Sequence, residues 1–528
     1  MSSSQRYFTV LEKAGENGRR EDLLLLKHYI NGEWRDSTST APLRDGYNPS
    51  TGEVIAKVPQ CTVAELGDAV AAAKAAFPAW SHTPVRTRVQ VLFRMKALLD
   101  QHIDELTLLL CREQGKSLSE SKGDIAKAIE VIEFACSMPQ LMKGESIMNV
   151  SRNYDTVLYR EPIGVFLGLV PWNFPAMIPH GWMIPLCIAA GNTFVLKAAT
   201  NCPQSAMRFV ELWEEAGLPK GVVNLVTANT RDVEYLIKHP DIVGVSFVGS
   251  TSVGMEVYRQ AAEAGKRVQC LGEAKNHALV MADAKLERSA AGIINAFCGC
   301  AGQRCMALPV VVAEEAIADR LVELIADLAR KQTVGCAYLP ETKLGPVVNA
   351  KQKASILQWI DKGLAEGATM VLDGRNITVP GYENGFFIGP TILDHVTEEM
   401  TVGTQEIFGP VLCVKRVKSF EEGLALMNRN PFANGSVIYT SSGYYAREFA
   451  FRTHGGQVGI NVGIPVPMCI FGFTGHKKSF IGDLHVMGTD GVRFYTESKN
   501  VTSTWFTEET EVKVDTWDGM VAEESSSK

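Results

Sequence analysis

The stretch "GVFLGLVPWNFP", residues 164–175, decides the reading of the fold. A short apolar run ends abruptly at Pro-Trp-Asn-Phe-Pro, as a buried strand closed by a turn would. Four more runs of this kind follow: "TFVLKAA" (193–199), "VVNLVTA" (222–228), "GVSFVGS" (244–250) and "RVQCLG" (267–272). Between them, 177–190, 203–216, 230–238 and 251–265 read as helices. Strand and helix alternate, the pattern of a parallel sheet covered by helices in a Rossmann-like unit.

Working outward, "YINGEW" (29–34) reads as a hairpin, because both central residues of an Asn-Gly turn need positive φ. Residues 62–80 and 85–140 carry apolar side chains at helical spacing. A second α/β series runs from about 277 to 460, with helices near 284–298, 314–331 and 350–366. The tail, "FTEETEVKVDTWDGMVAEESSSK" (506–528), is acidic and polar and is expected to be disordered.

A chain of 528 residues exceeds one core, so two or three domains are expected. The net charge of −7 gives no electrostatic case for nucleic acid or an anionic membrane as partner. Twelve cysteines are far below the density of a disulfide scaffold. The first twenty residues have no apolar signal core, and Pro171, Pro175, Pro179 and Pro185 break the most apolar stretch as a membrane span. A reducing compartment, the cytoplasm, is expected.

"FCGCAGQRCMAL", residues 297–308, packs three cysteines into eight positions. A zinc site would want paired Cys or His ligands two to four residues apart. Cys298, Cys300 and Cys305 have spacings of one and four with no histidine nearby, so no metal is expected. Cys298 and Cys300 follow an apolar helical pattern and behave as small core residues. Cys305 follows a Gly-Gln-Arg run suited to a tight loop, and Arg304 beside it would favour a thiolate. It is the candidate nucleophile.

"GQRCMAL" (302–308) resembles the catalytic-cysteine segment of the aldehyde dehydrogenase superfamily. "VPWNFP" (170–175), "FVGST" (247–251) and "EIFGPVL" (406–412) match three more of its signatures in order. Within that superfamily, "AKNH" (274–277), "RCMA" (304–307), "IPVP" (464–467), "FTG" (473–475) and "FYT" (494–496) are similar to the methylmalonate-semialdehyde dehydrogenases. The resemblance implies an α/β aldehyde dehydrogenase fold with NAD as oxidant and coenzyme A as co-substrate for a semialdehyde. It divides the chain into an extension (1–28), an NAD-binding domain (29–151 and 164–275) and a catalytic domain (276–479). A bridging β extension (152–163 and 480–505) would pair subunits into dimers or tetramers, ahead of the polar tail. Eukaryotic members of the family are mitochondrial.

The resemblance also assigns roles. Cys305 would attack the aldehyde, with Asn173 and the Cys305 backbone N–H holding the oxyanion. Val170 and Trp172 would line the NAD pocket, and Lys197 would reach the adenine ribose. Gly249 and Ser250 would meet the pyrophosphate at a helix start. Gly272 would lie near the nicotinamide, Glu406 would hold its ribose, and Phe408 would face the ring. Arg304 and Lys127 would face the substrate carboxylate or coenzyme A. Lys127 stands where the family has arginine and so lacks the bidentate fork.

Two departures matter. Thr200 and Asn201 stand in "KAATN" where a glutamate, and in acyl-CoA-forming members often an arginine, would follow, so repulsion of a 2′-phosphate is weakened. Leu271 replaces the glutamate that activates water in hydrolytic members. Glu273, two residues along and on the same strand face, is an alternative base. Three readings follow: a CoA-acylating semialdehyde dehydrogenase, a hydrolytic NAD(P)-dependent enzyme using Glu273, and a non-catalytic protein retaining the fold. Intact Cys305, Asn173 and Glu406 argue against the third.

Overall fold

The computed structural model describes residues 24–505, so most of the expected N-terminal extension and the whole polar tail lie outside the described residues. An eight-stranded sheet has five parallel strands, in the spatial order Arg267–Leu271, Ile242–Val248, Val165–Leu169, Thr193–Lys197 and Val223–Val226. The chain winds outward from Val165–Leu169 in one direction and then returns to its other side. The strand order therefore reverses between Val165–Leu169 and Ile242–Val248, where an open α/β sheet leaves a ligand crevice at its carboxyl ends.

The hairpin His28–Ile30 and Glu33–Arg35 closes one edge, turning through Asn31 (φ 53) and Gly32 (φ 76) as the Asn-Gly pair requires. Every residue of Val165–Leu169 is buried, because helices cover both faces. Trp182, Trp213, Phe166, Phe194 and Phe209 are among the largest fully buried apolar side chains of that core. Full burial of side chains of this size stabilises by about 1.5–3 kcal/mol each.

The long helical stretch expected over 85–140 is divided into Val85–Gln101, Ile103–Gln114 and Leu118–Cys136. Gly115, at φ 93, ends the second of these, and Pro346 and Pro49 pack where its side chain would be. The segment expected as helix 177–190 starts as a π-helical turn, Ile178–Met183, and continues as the α-helix Ile184–Ala190.

A seven-stranded sheet follows, in the order Thr369–Leu372, Thr391–Asp394, Val411–Val417, Val310–Glu314, His277–Val280, Gly435–Tyr439 and Gln457–Ile460. A three-stranded antiparallel sheet is made of Ser146–Ser151, Tyr154–Pro162 and Thr496–Thr504. Here pairing corrects the boundaries drawn from sequence. Ser146–Ser151 belongs with the extension, because it is one arm of a hairpin with Tyr154–Pro162. Phe480–Gly482 leaves the extension and closes the eight-stranded sheet against Arg267–Leu271.

Candidate active site

The turn Val170–Pro175 leaves the central strand at the point where strand order reverses. Asn173 is 5% exposed there, and its Nδ2 donates to the Gln303 carbonyl at 3.1 Å. One amide hydrogen is thus used to fix the side chain, and a second remains for another acceptor.

Gln303 belongs to the cysteine loop. The helix Leu286–Cys298 ends in a turn in which Cys300 (φ 51), Ala301 (φ 52) and Gly302 (φ 70) are all left-handed. Such backbone costs about 1–2 kcal/mol for each non-glycine residue, so the surroundings must hold it. Gly302 is required twice over: by its positive φ, and because a Cβ there would collide with the Gly409 carbonyl. Gln303 is wholly buried, donates from Nε2 to the Cys300 carbonyl at 3.2 Å and accepts the Val348 N–H at 3.0 Å. The Glu120 carboxylate accepts the Cys300 N–H at 2.6 Å. Beyond the turn, the Cys305 carbonyl accepts from Asn276 Nδ2 at 2.7 Å and Asn434 Nδ2 at 3.1 Å. Cys298 and Cys300 are buried, whereas Cys305 is partly accessible.

Burial pushes the Cys305 thiol up to about 12, and the facing Glu406 carboxylate adds to this. The backbone N–H groups of Cys305 and Met306 and the Arg304 charge act the other way. Glu406 is itself raised to about 8, first by burial and then by the charge of Glu273, while the Ala274 N–H and Lys275 oppose the shift. Its Oε1 accepts that N–H at 3.0 Å.

Several residues assigned to the cofactor converge on the sheet's carboxyl ends. The rings of Trp172 and Phe408 meet edge to face, 5.6 Å apart, with Val170 two residues before the tryptophan. Ser250 is the N-cap of the helix Thr251–Glu263, and Gly249 N–H donates to the Leu271 carbonyl at 3.0 Å. A side chain at Gly249 would meet Phe247, and one at Gly272 would meet Thr251 Oγ1 at 2.6 Å. Lys197 ends its strand; burial first, and then Arg44, lower its ammonium to about 8. Among the described residues it makes no hydrogen bond or ion pair, and neither do the side chains of half-buried Thr200 and Asn201. These are groups left available to a ligand. The crevice, the small residues and the uncommitted cation fit a dinucleotide.

Three assigned residues have internal partners instead. Glu273 Oε2 accepts the Thr251 N–H at 3.0 Å, and Glu273 N–H donates to Thr251 Oγ1 at 2.9 Å, so this carboxylate caps a helix. Lys127 donates to Glu130 at 2.6 Å. Arg304 folds back over Gly299, where its Nη2 donates to the Asn295 carbonyl at 2.9 Å and lies 3.5 Å from Glu120. Asn276, Gln303, Asn434 and Glu120 shape the site and were not singled out from the sequence. "AKNH" and "GQRC" held the signal for the first two; nothing local marked the others.

The doubly wound sheet thus leaves a dinucleotide-type crevice beside a partly accessible thiol and a fixed side-chain amide, an arrangement suited to a dehydrogenase. Residues 34–501 match the Aldehyde dehydrogenase family, and the chain belongs to it. It is 47% identical over 482 residues to malonate-semialdehyde dehydrogenase 2 of Bacillus thuringiensis, covering 91% of this chain and 98% of that protein. Identity to the malonate-semialdehyde dehydrogenase of Bacillus pumilus is 45% over 484 residues, covering 92% and 99%. Among solved structures, a Sinorhizobium meliloti protein assigned as a methylmalonate-semialdehyde dehydrogenase, complexed with NAD, superposes with a TM-score of 0.91 at 41% identity. The methylmalonate-semialdehyde dehydrogenase of Oceanimonas doudoroffii gives 0.90 at 41%. Both matches cover 92% of this chain and 99% of the other.

Proposed function

We propose that this chain oxidises malonate or methylmalonate semialdehyde through a thioester on Cys305 and passes the acyl group to coenzyme A. The relatives' names support the substrate class, and the NAD complex of the Sinorhizobium protein supports the cofactor. One observation carries the acyl-transfer step. Leu271 lies in the apolar cluster that also holds Cys305, Met306 and Phe473, while the nearby carboxylates are committed: Glu406 to the Ala274 N–H and Glu273 to the Thr251 N–H. Among the described residues, neither carboxylate beside Leu271 is left uncommitted to activate water.

In this reading the Cys305 thiol gives its proton to solvent and its sulfur attacks the aldehyde carbon. The oxyanion accepts from the second Asn173 Nδ2 hydrogen and from the Cys305 N–H. NAD supplies the hydride acceptor, held by Val170, Trp172, Lys197, Thr200, Asn201, Gly249, Ser250, Gly272, Glu406 and Phe408. The coenzyme A sulfur then attacks the thioester carbon; the bond to the Cys305 sulfur breaks, acyl-CoA leaves, and the coenzyme A thiol proton restores the Cys305 thiol. Lys127 is the cation assigned to a substrate carboxylate in this reading; its greater exposure, 40% against 15% for Arg304, supports the choice.

The eight-stranded sheet serves as the NAD-binding part and the seven-stranded sheet as the catalytic part. The three-stranded sheet, with Ile147, Met148, Val150 and Tyr159 exposed, pairs subunits of a homo-oligomer in this reading. No helix among the described residues is long and apolar enough to cross a membrane, and the cytoplasm is the proposed compartment.

Enzyme mixed with NAD and malonate semialdehyde, without coenzyme A, should release about one equivalent of NADH per site and then turn over slowly. Coenzyme A should restore fast turnover and yield acyl-CoA, a contrast of about 10²–10⁴-fold. Fast turnover without coenzyme A, abolished by Glu273→Gln, would establish the hydrolytic reaction instead.

A further inference from the structure

The helix Leu118–Cys136 has no assigned role in the reaction apart from Lys127, yet it holds three separate segments around the candidate site. Three of its four carboxylates each accept a backbone N–H from a different segment. Glu120 takes Cys300 N–H at 2.6 Å, from the strained turn before Cys305. Asp124 takes Met177 N–H at 2.8 Å, from the segment after Asn173. Glu130 takes Cys469 N–H at 2.9 Å, from a segment whose Ile464, Val466, Cys469 and Phe473 share the apolar cluster with Cys305. At 3.6 residues per turn, positions 120, 124 and 130 fall within an arc of about 120° on one side of the helix.

The middle contact is reinforced. Asp124 and Lys116 form a fully buried pair at 2.7 Å, and the Lys116 ammonium lies 3.7 Å from the centre of the Phe174 ring, next to Asn173. A helix is stiff along its axis, so three acceptors fixed on it fix the spacing of the segments they hold. Backbone N–H groups are obligatory donors, and a charged acceptor makes the stronger bond.

We propose that Glu120, Asp124 and Glu130 are positioning residues, that this helix is the common template for the nucleophile, the oxyanion amide and the 464–473 segment, and that this last segment, packed in the apolar cluster of Cys305, lines the substrate side. The proposal rests on the assignment of Cys305 and Asn173 given above. It separates two effects: Glu120 acts on the chemical step through the cysteine turn, and Glu130 acts on substrate binding through the 464–473 segment.

The test compares Glu120→Ala and Glu130→Ala, each beside its amide variant, in single-turnover NADH formation and in KM for malonate semialdehyde. Glu120→Ala should slow the single turnover by about 10–10²-fold with KM little changed, as a misplacement near 1 Å does. Glu120→Gln should recover most of the rate, because its amide oxygen still accepts the Cys300 N–H. Glu130→Ala should raise KM severalfold and leave the saturated single-turnover rate within about twofold. If Glu120→Ala does not fold, Glu120→Asp replaces it: the shorter acid keeps the charge, loses the reach, and should show the same slow turnover. Equal loss of both parameters in both variants, no rescue by glutamine, or an unchanged rate in folded Glu120→Ala would overturn the template. NADH formation by Cys305→Ala would overturn the nucleophile itself, a separate failure.

Discussion

The cysteine loop and the turn that follows strand Thr193–Lys197 are both parts of the candidate site, and they are built in opposite ways. The cysteine loop is over-determined. Three successive left-handed residues are held by Glu120, by Gln303 and by the packing of Gly302 on Gly409, and two asparagine amides fix the Cys305 carbonyl. The 198–202 turn is lightly made, with Ala198 N–H donating to the Val226 carbonyl and Cys202 N–H to that of Ala199. Its polar side chains, Thr200 and Asn201, have no internal partners among the described residues. Glu113 supports it from behind, accepting from Gln204 N–H and Ser205 N–H at the start of the next helix. Where a bond must form to one atom, the chain stores strain and multiplies tethers. Where a ligand is only held, it leaves side chains uncommitted. Substitutions in the first region should therefore change kcat, and those in the second should change KM.

The sharpest test of that contrast is Cys305→Ala. NADH formation should vanish, while NAD affinity measured by calorimetry stays within about twofold, because the sulfur acts only in chemistry. A weakened affinity would show that the loop also builds the cofactor pocket.

The pH dependence of the same sulfur comes next. Its thiol is pushed up to about 12, so the thiolate fraction rises with pH throughout the accessible range. Alkylation of Cys305 by iodoacetamide in cofactor-free enzyme should climb about tenfold per pH unit between pH 7 and 10. A plateau near pH 8 would mean that the loop stabilises the thiolate rather than burying the thiol.

On the cofactor side, Lys197→Ala should raise the KM for NAD by about tenfold with a smaller change in kcat. Thr200→Glu should lower activity with NADP relative to NAD, since a carboxylate there would repel a 2′-phosphate. A gain of NADP activity would place that turn away from the ribose and dissolve the contrast.

The smallest effect is expected within the cysteine stretch. Cys298→Ala and Cys300→Ala should keep most of the turnover and lose about 1 kcal/mol of stability in urea denaturation. If either variant is as inactive as Cys305→Ala, the cluster acts as a unit and not as one nucleophile in a strained loop.

Much of this was legible in the chain itself. Short apolar runs and the helical periods between them placed the five parallel strands, because side-chain patterning follows from which faces a strand or helix buries. The Asn31-Gly32 turn was legible for a stereochemical reason, since few residues other than these accept positive φ. Cys305 and Asn173 were legible from motifs. The pairing of Ser146–Ser151 and Phe480–Gly482 was not, because a short strand carries no mark of which sheet edge will take it.

Glu120 shows where the boundary lies. "SLSE", residues 117–120, has the spacing of a capping box at the start of a helix, and Ser117 is indeed the N-cap. Yet Ser117 makes no capping bond, and the Glu120 carboxylate turns to the Cys300 N–H, 180 residues away in sequence. Lys127, Arg304 and Glu273 likewise kept their predicted places in the chain but took partners that the sequence could not name. The sequence determined the strands and helices that follow 164 and singled out Cys305 and Asn173 as candidates, since these depend on side-chain period, local stereochemistry and motif. Tertiary structure alone decided what each charged group holds, because a hydrogen-bond partner is set by which distant backbone folding brings within about 3 Å.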